Sequence, residues 1–243
     1  MPLVTTGISG LDAQLGGGIP SGTTLLLIAE PGNAMSLFSE QFAAGGLGAG
    51  ESVHYLLFDR PAKDARDHVL SFLPTATVAQ KAQKLKFYDG YSPQFGRALP
   101  TPPGKDETVT IGRDDAYSQP LKEVQRTGYD GPYRLVFETL STIATSGGEE
   151  AAVEFFRTLT FLGRETGGVH LVSLVKGLHS PLFETKLRHL AGGVLEFGIE
   201  RKGFGLYPYV MISKLLNVPE AARILLYKET ERGLWLEPTK RVF

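Results

Sequence analysis

The stretch LLLIAEPGNAMSLFSEQF, residues 25–42, runs from apolar residues through a short turn at Pro31–Gly32 into a segment of helical spacing. A strand that ends in a loop and passes directly into a helix is the layout of a phosphate-binding loop. A working loop reads G-x-x-x-x-G-K-[ST]. Its glycines let backbone N–H groups close around the phosphates, its lysine reaches the β- and γ-phosphates, and its hydroxyl holds Mg²⁺. In register, this chain supplies Ala29, Glu30, Pro31, Gly32, Asn33, Ala34, Met35 and Ser36. Both frame glycines are alanine, the lysine is Met35, and only the Ser36 hydroxyl keeps its place. The frame is present and its chemistry is not.

The charges of the loop point the same way. Met35 has the length of a lysine stem without the ammonium, and Glu30 adds a carboxylate beside a site meant for triphosphate. Two like charges ~6 Å apart at an effective dielectric of ~20 repel by roughly 3 kcal/mol. A helix N-terminus still favours an anion, but that contribution is too small to replace a lysine and offset a carboxylate.

Outward from this stretch, short apolar runs recur at 23–29, 53–58, 85–89, 133–138 and 169–175. Runs apolar on both faces suit the central strands of a parallel sheet buried between helix layers. Segments of helical spacing separate them, among them EEAAVEFFRTLTFLGRETGG, with the pair Gly167–Gly168 placed as a C-cap. Such alternation predicts βαβ units in a doubly wound, mostly parallel α/β sheet. Past residue 190 the runs GVLEFGIERKG, LYPYVMISKLL, ARILLYKETERG and LWLEP read as antiparallel strands at one sheet edge. No linker divides the 243 residues, so a single domain is expected, with a long Pro/Gly-rich surface loop at about 90–120.

Composition narrows the function. Lys plus Arg number 25 against 26 Asp plus Glu, a formal charge of −1, which argues against a nucleic-acid binder driven by charge. Absence of cysteine removes thiol catalysis, thiolate metal sites and disulfides. The N-terminus lacks a basic segment followed by an apolar run, and no apolar run nears the ~20 residues a bilayer span requires, so a cytoplasmic protein is expected. The five histidines, His54, His68, His170, His179 and His189, have no metal-ligand spacing, and Ser141 and Ser173 have no visible His–Asp partners.

The segment VTTGISGLDAQLGGGIPSGTTLLLIAEPG, residues 4–32, resembles the opening of the KaiC-like branch of the RecA superfamily of P-loop ATPases, where TGI-x-GLD-x-x-LGGG-I-P-x-G precedes the first core strand. The resemblance implies a RecA-like fold and says where catalytic groups should sit. After the second strand the family carries two acidic residues that activate water; here Asp59 remains and Arg60 replaces the second. At the fourth core strand the family places a Mg²⁺-organising Asp; here Glu138 stands there, followed by Thr139. A Lys-x-Arg pair reaching the neighbouring subunit's γ-phosphate becomes Lys214 with Leu216 in the arginine's place. Phosphoryl transfer depends almost wholly on positioning and charge stabilisation, so the resemblance reads as an inactivated member with no catalytic residue and no bound metal or cofactor. The alternative is a slow or switch-type ATP-binding protein in which Ser36 and Glu138 hold Mg²⁺ and a cation such as Arg60 or Lys176 replaces the lysine. A second alternative is a RecA-type DNA-binding accessory protein. The family assembles as rings or dimers, and archaeal relatives of the inactivated kind are associated with signal transduction. The resemblance therefore implies a homo-oligomer with a signalling protein partner, while the near-neutral charge argues against nucleic acid as a partner and the short apolar runs argue against a membrane.

Overall fold

The computed structural model describes residues 2–92, 109–110, 118–218 and 223–237. Its elements in chain order are β1 (Leu3–Val4), α1 (Leu11–Gln14), β2 (Ile19–Pro20), β3 (Thr24–Ala29), α2 (Met35–Ala49), β4 (Ser52–Leu57), α3 (Ala62–Ser71), α4 (Thr75–Ala82), β5 (Leu85–Asp89), β6 (Val109–Thr110), α5 (Ser118–Asp130), β7 (Tyr133–Glu138), α6 (Leu140–Gly147), α7 (Glu149–Thr166), β8 (Val169–Val175), α8 (Pro181–Leu190), β9 (Gly193–Lys202), β10 (Gly205–Leu215), β11 (Arg223–Thr230) and β12 (Gly233–Leu236). A sheet of ten strands runs in the order β12-β11-β10-β9-β3-β8-β7-β4-β5-β6. Pairing from β9 through β6 is parallel, and β10, β11 and β12 follow in antiparallel register. The expected fold class, a mostly parallel α/β sheet with antiparallel C-terminal strands, is the observed one.

The apolar runs form central strands because both their faces are covered. On β3, Leu25, Leu27 and Ala29 join the core beneath α2 and α3, while Leu26 and Ile28 join the core beneath α6, α7 and α8. Helix α7 ends where its glycine pair predicts, with Gly167 left-handed at φ 77°. The expected loop at 90–120 is only partly one. Val109–Thr110 pairs with β5, and α5 already begins at Ser118; residues 93–108 and 111–117 lie outside the described residues.

The signature TGISGLD proves to be a packing device. Thr6 N–H donates to Asp12 Oδ1 at 2.6 Å and Ile8 N–H to Thr6 Oγ1 at 3.1 Å, which folds the segment on itself. A Cβ on Gly7, held at φ 77°, would lie 2.5 Å from the Gly45 Cα, so glycine at both positions lets the segment lie against α2. Arg134 of β7 then ties the segment down from beneath. Fully buried, it donates to Glu51 Oε2 at 2.6 Å, Phe42 O at 2.9 Å and Thr5 O at 2.6 Å, with its guanidinium 4.6 Å from the Phe42 ring centre.

Candidate functional site

Ligands of open parallel sheets bind outside the carboxyl ends of the strands. Here the ends of β3, β4, β7 and β8 bring together the loop 29–36, Asp59–Arg60, Glu138 and Lys176. The loop closes on itself. Glu30 O accepts from Asn33 Nδ2 at 3.0 Å and Asn33 N at 3.3 Å, and Gly32 sits at φ 87°, where a side chain would be strained. Met35 N–H donates to Asn33 O at 2.8 Å, so one donor at the start of α2 is turned into the loop itself. Met35 packs, partly buried, against the core beneath α2. Ala34 at the N-cap supplies no capping oxygen. Glu30 points outward, with 67% of its side chain exposed, and Lys176 lies 3.8 Å away. The loop sequence alone assigns Glu30 a strong repulsion. Its exposure and its partner reduce that to the scale of a surface pair, at most about 1 kcal/mol.

Beneath the loop lies a group of buried charges. Arg60 Nη1 is 2.8 Å from Glu40 Oε1 on α2, and Arg60 Nη2 is 2.8 Å from Glu138 Oε2 at the end of β7. Both carboxylates are about 2% exposed. His68 Nδ1 bonds the other oxygen of Glu40 from α3, its ring half open to solvent. Burial pushes the Glu138 carboxyl upward, against the pull of the adjacent Arg60. Desolvation opposes charge on Arg60, yet Glu138, Tyr55 and Glu40 together hold the guanidinium more firmly protonated than usual. Tyr55, fully buried beside them, has its phenol pushed well up by burial and then by Glu138. Asp59 stands exposed at the rim, although the surrounding protein still raises its carboxyl by desolvation.

The other sequence-predicted positions separate. Ser36 is the second residue of α2, partly buried, beside the loop. Lys214 does not reach outward. Its ammonium donates to Arg188 O at 3.1 Å and His189 O at 3.0 Å, occupying the carbonyl end of α8, while Leu216 is exposed. Glu40 was missed in the sequence, although a carboxylate inside the apolar helix segment SLFSEQF was the available signal. Among the histidines, His54 and His170 are buried and hydrogen-bonded, His54 to Tyr88 at 2.9 Å and His170 to Tyr133 at 2.9 Å. Burial holds both rings down at about 4. His179 Nε2 does meet Ser141 Oγ at 2.8 Å, a pairing the sequence did not reveal. That serine is buried and its oxygen already accepts from Val175 N–H at 3.0 Å, which makes it a loop tie. Among the described residues, no three His, Cys, Asp or Glu side chains gather as a metal site, and no helix is long and apolar enough to cross a membrane.

Magnesium and ATP are the groups this fold class implies, and these residues do not fit them. The position for a phosphate-binding ammonium carries a thioether. Glu138, at the position where the resemblance expects a metal-organising carboxylate, is bonded through Oε2 to a guanidinium.

Comparison with known proteins agrees with the architecture. A family profile described as ATPase: KaiC matches residues 4–173. A UPF0273 protein of Pyrococcus horikoshii is 38% identical over 243 residues, covering 98% of this chain and 94% of its own. A UPF0273 protein of Aeropyrum pernix is 25% identical over 249 residues, covering 98% and 95%. The crystal structure of a KaiC-like protein from Pyrococcus horikoshii OT3 superposes with a TM-score of 0.73 at 22% identity, over 98% of this chain and 99% of that one.

Proposed function

This chain belongs to the KaiC family of ATPases, and from that premise we propose that it is a member without ATPase activity that works through its surfaces, as a self-assembling regulatory or signalling module of the cytoplasm. The observation that carries the reading is Arg60. It stands where the family resemblance expects a water-activating carboxylate, and it bonds Glu138 at 2.8 Å, the carboxylate expected to organise Mg²⁺. A guanidinium cannot accept a proton from water at neutral pH. Glu138 is engaged by that guanidinium through Oε2, so a metal there would have to compete with a cation the chain itself supplies. Met35 removes the ammonium that would grip the phosphates, and Lys214, occupied by the end of α8, is not presented to a neighbouring copy. A scaffold keeps its form around a discharged site when packing and surface still matter after catalysis has gone.

The test is steady-state phosphate release from ATP with Mg²⁺, comparing the parent protein with Ser36→Ala and Glu138→Ala. The reading expects all three at the buffer background. Turnover in the parent that both substitutions abolish would overturn it.

A further inference from the structure

Glu40 and Glu138 come from separate elements, α2 and β7, and both are about 2% exposed. Two buried carboxylates facing one space repel strongly unless a cation lies between them. Here both ends of one guanidinium lie between them, at 2.8 Å from each, and the arginine comes from a third element, the turn after β4. The fork hydrogen-bonds Glu138 Oε2 and meets Glu40 Oε1 as an ion pair, so one planar group sets the spacing of the two carboxylates. His68 adds a half-exposed contact to Glu40 from α3.

We propose that Arg60 is the resident cation of this site, standing where a divalent metal ion stands elsewhere: its single positive charge is shared between Glu40 and Glu138, and it clamps α2 to β7 and to the β4–α3 turn. With Arg60 removed, the two buried carboxylates are left facing one space without a cation, and a divalent ion that keeps most of its water can be held there through one carboxylate directly and the other through a bound water. Mg²⁺ and its congeners bind in this way through one or two carboxylates. The parent protein therefore takes no metal here, and removal of Arg60 uncovers a site that does. This inference concerns the charge beneath the loop and stands whether or not ATP binds above it.

The test uses the full chain, with Mn²⁺ as the probe, followed by electron paramagnetic resonance and thermal unfolding at matched ionic strength, and with EDTA as the metal-free reference. In the parent, Mn²⁺ and EDTA leave the melting temperature unchanged and no stoichiometric Mn²⁺ is held. Arg60→Ala melts about 5–10 °C lower in EDTA, as expected when one partner of a buried ion pair is removed. It binds one Mn²⁺ per chain. With Mn²⁺ about 100-fold above its dissociation constant, it recovers most of that loss. Arg60→Ala/Glu138→Gln, with one carboxylate gone, binds no Mn²⁺ and is not rescued. Stoichiometric Mn²⁺ on the parent overturns the proposal. So does an Arg60→Ala chain that Mn²⁺ neither binds nor stabilises, including one that fails to fold with Mn²⁺ present.

Discussion

Restoring one charge at the loop separates the two defects read there. Met35 opens α2 and lies partly buried against the core, so a lysine at that position would extend its stem along the same path. A hydrogen bond from that ammonium to a phosphate is worth about 2 kcal/mol net, roughly a 30-fold gain in affinity. Glu30, by contrast, is 67% exposed with Lys176 only 3.8 Å away. Its removal relieves at most about 1 kcal/mol, no more than about fivefold. Met35→Lys should therefore improve nucleotide affinity far more than Glu30→Gln does. The assay is displacement of a fluorescent ATP analogue by ATP with Mg²⁺ at fixed ionic strength. Phosphate release should stay at background in both variants, because Arg60 still bonds Glu138. Should Glu30→Gln gain as much as Met35→Lys, the electrostatic account of this loop is wrong.

The same geometry sets three other outcomes. Arg134→Met strands Glu51 and the carbonyls of Thr5 and Phe42, and should cost about 3–5 kcal/mol in urea unfolding, with a loss under about 1 kcal/mol counting against it. His54 and His170 are held near 4 when folded and return to about 6.5 when unfolded. The unfolded chain thus takes up protons between those values while the folded chain does not, so stability falls as pH drops through that window. By pH 5 the loss is of order 2 kcal/mol per ring, and it should be reduced in His170→Phe. Lys214→Met removes two bonds from the carbonyl end of α8 and should speed hydrogen exchange in its last turn, leaving exchange in the loop 29–36 as it was.

Much of the sheet could be read directly from the chain. Runs such as TTLLLIA and YRLVFE are buried on both faces, and that burial is what makes them continuous rather than alternating. The loop frame was legible too, because strand, turn and helix each leave a local signature. The partners of the charges were not. Arg134 and Glu138 stand at even spacing in β7, on the face covered by α2, and nothing in YRLVFE says that one meets Glu51 and the other Arg60. Those contacts span 83 and 78 positions of sequence. Lys214 misled for a similar reason. Its side chain turns back to the end of α8, a helix that precedes it by two dozen residues, and no local pattern records that turn. The outward force assigned to Glu30 was too large because sequence carries no exposure, and exposure sets the screening.

Titration calorimetry of the unmodified protein with ATP and Mg²⁺ tests most directly the claim that the phosphate loop kept its shape and lost its grip. The account predicts no saturable heat with ATP at about 100 µM. A Mg²⁺-dependent dissociation constant below about 10 µM would contradict it.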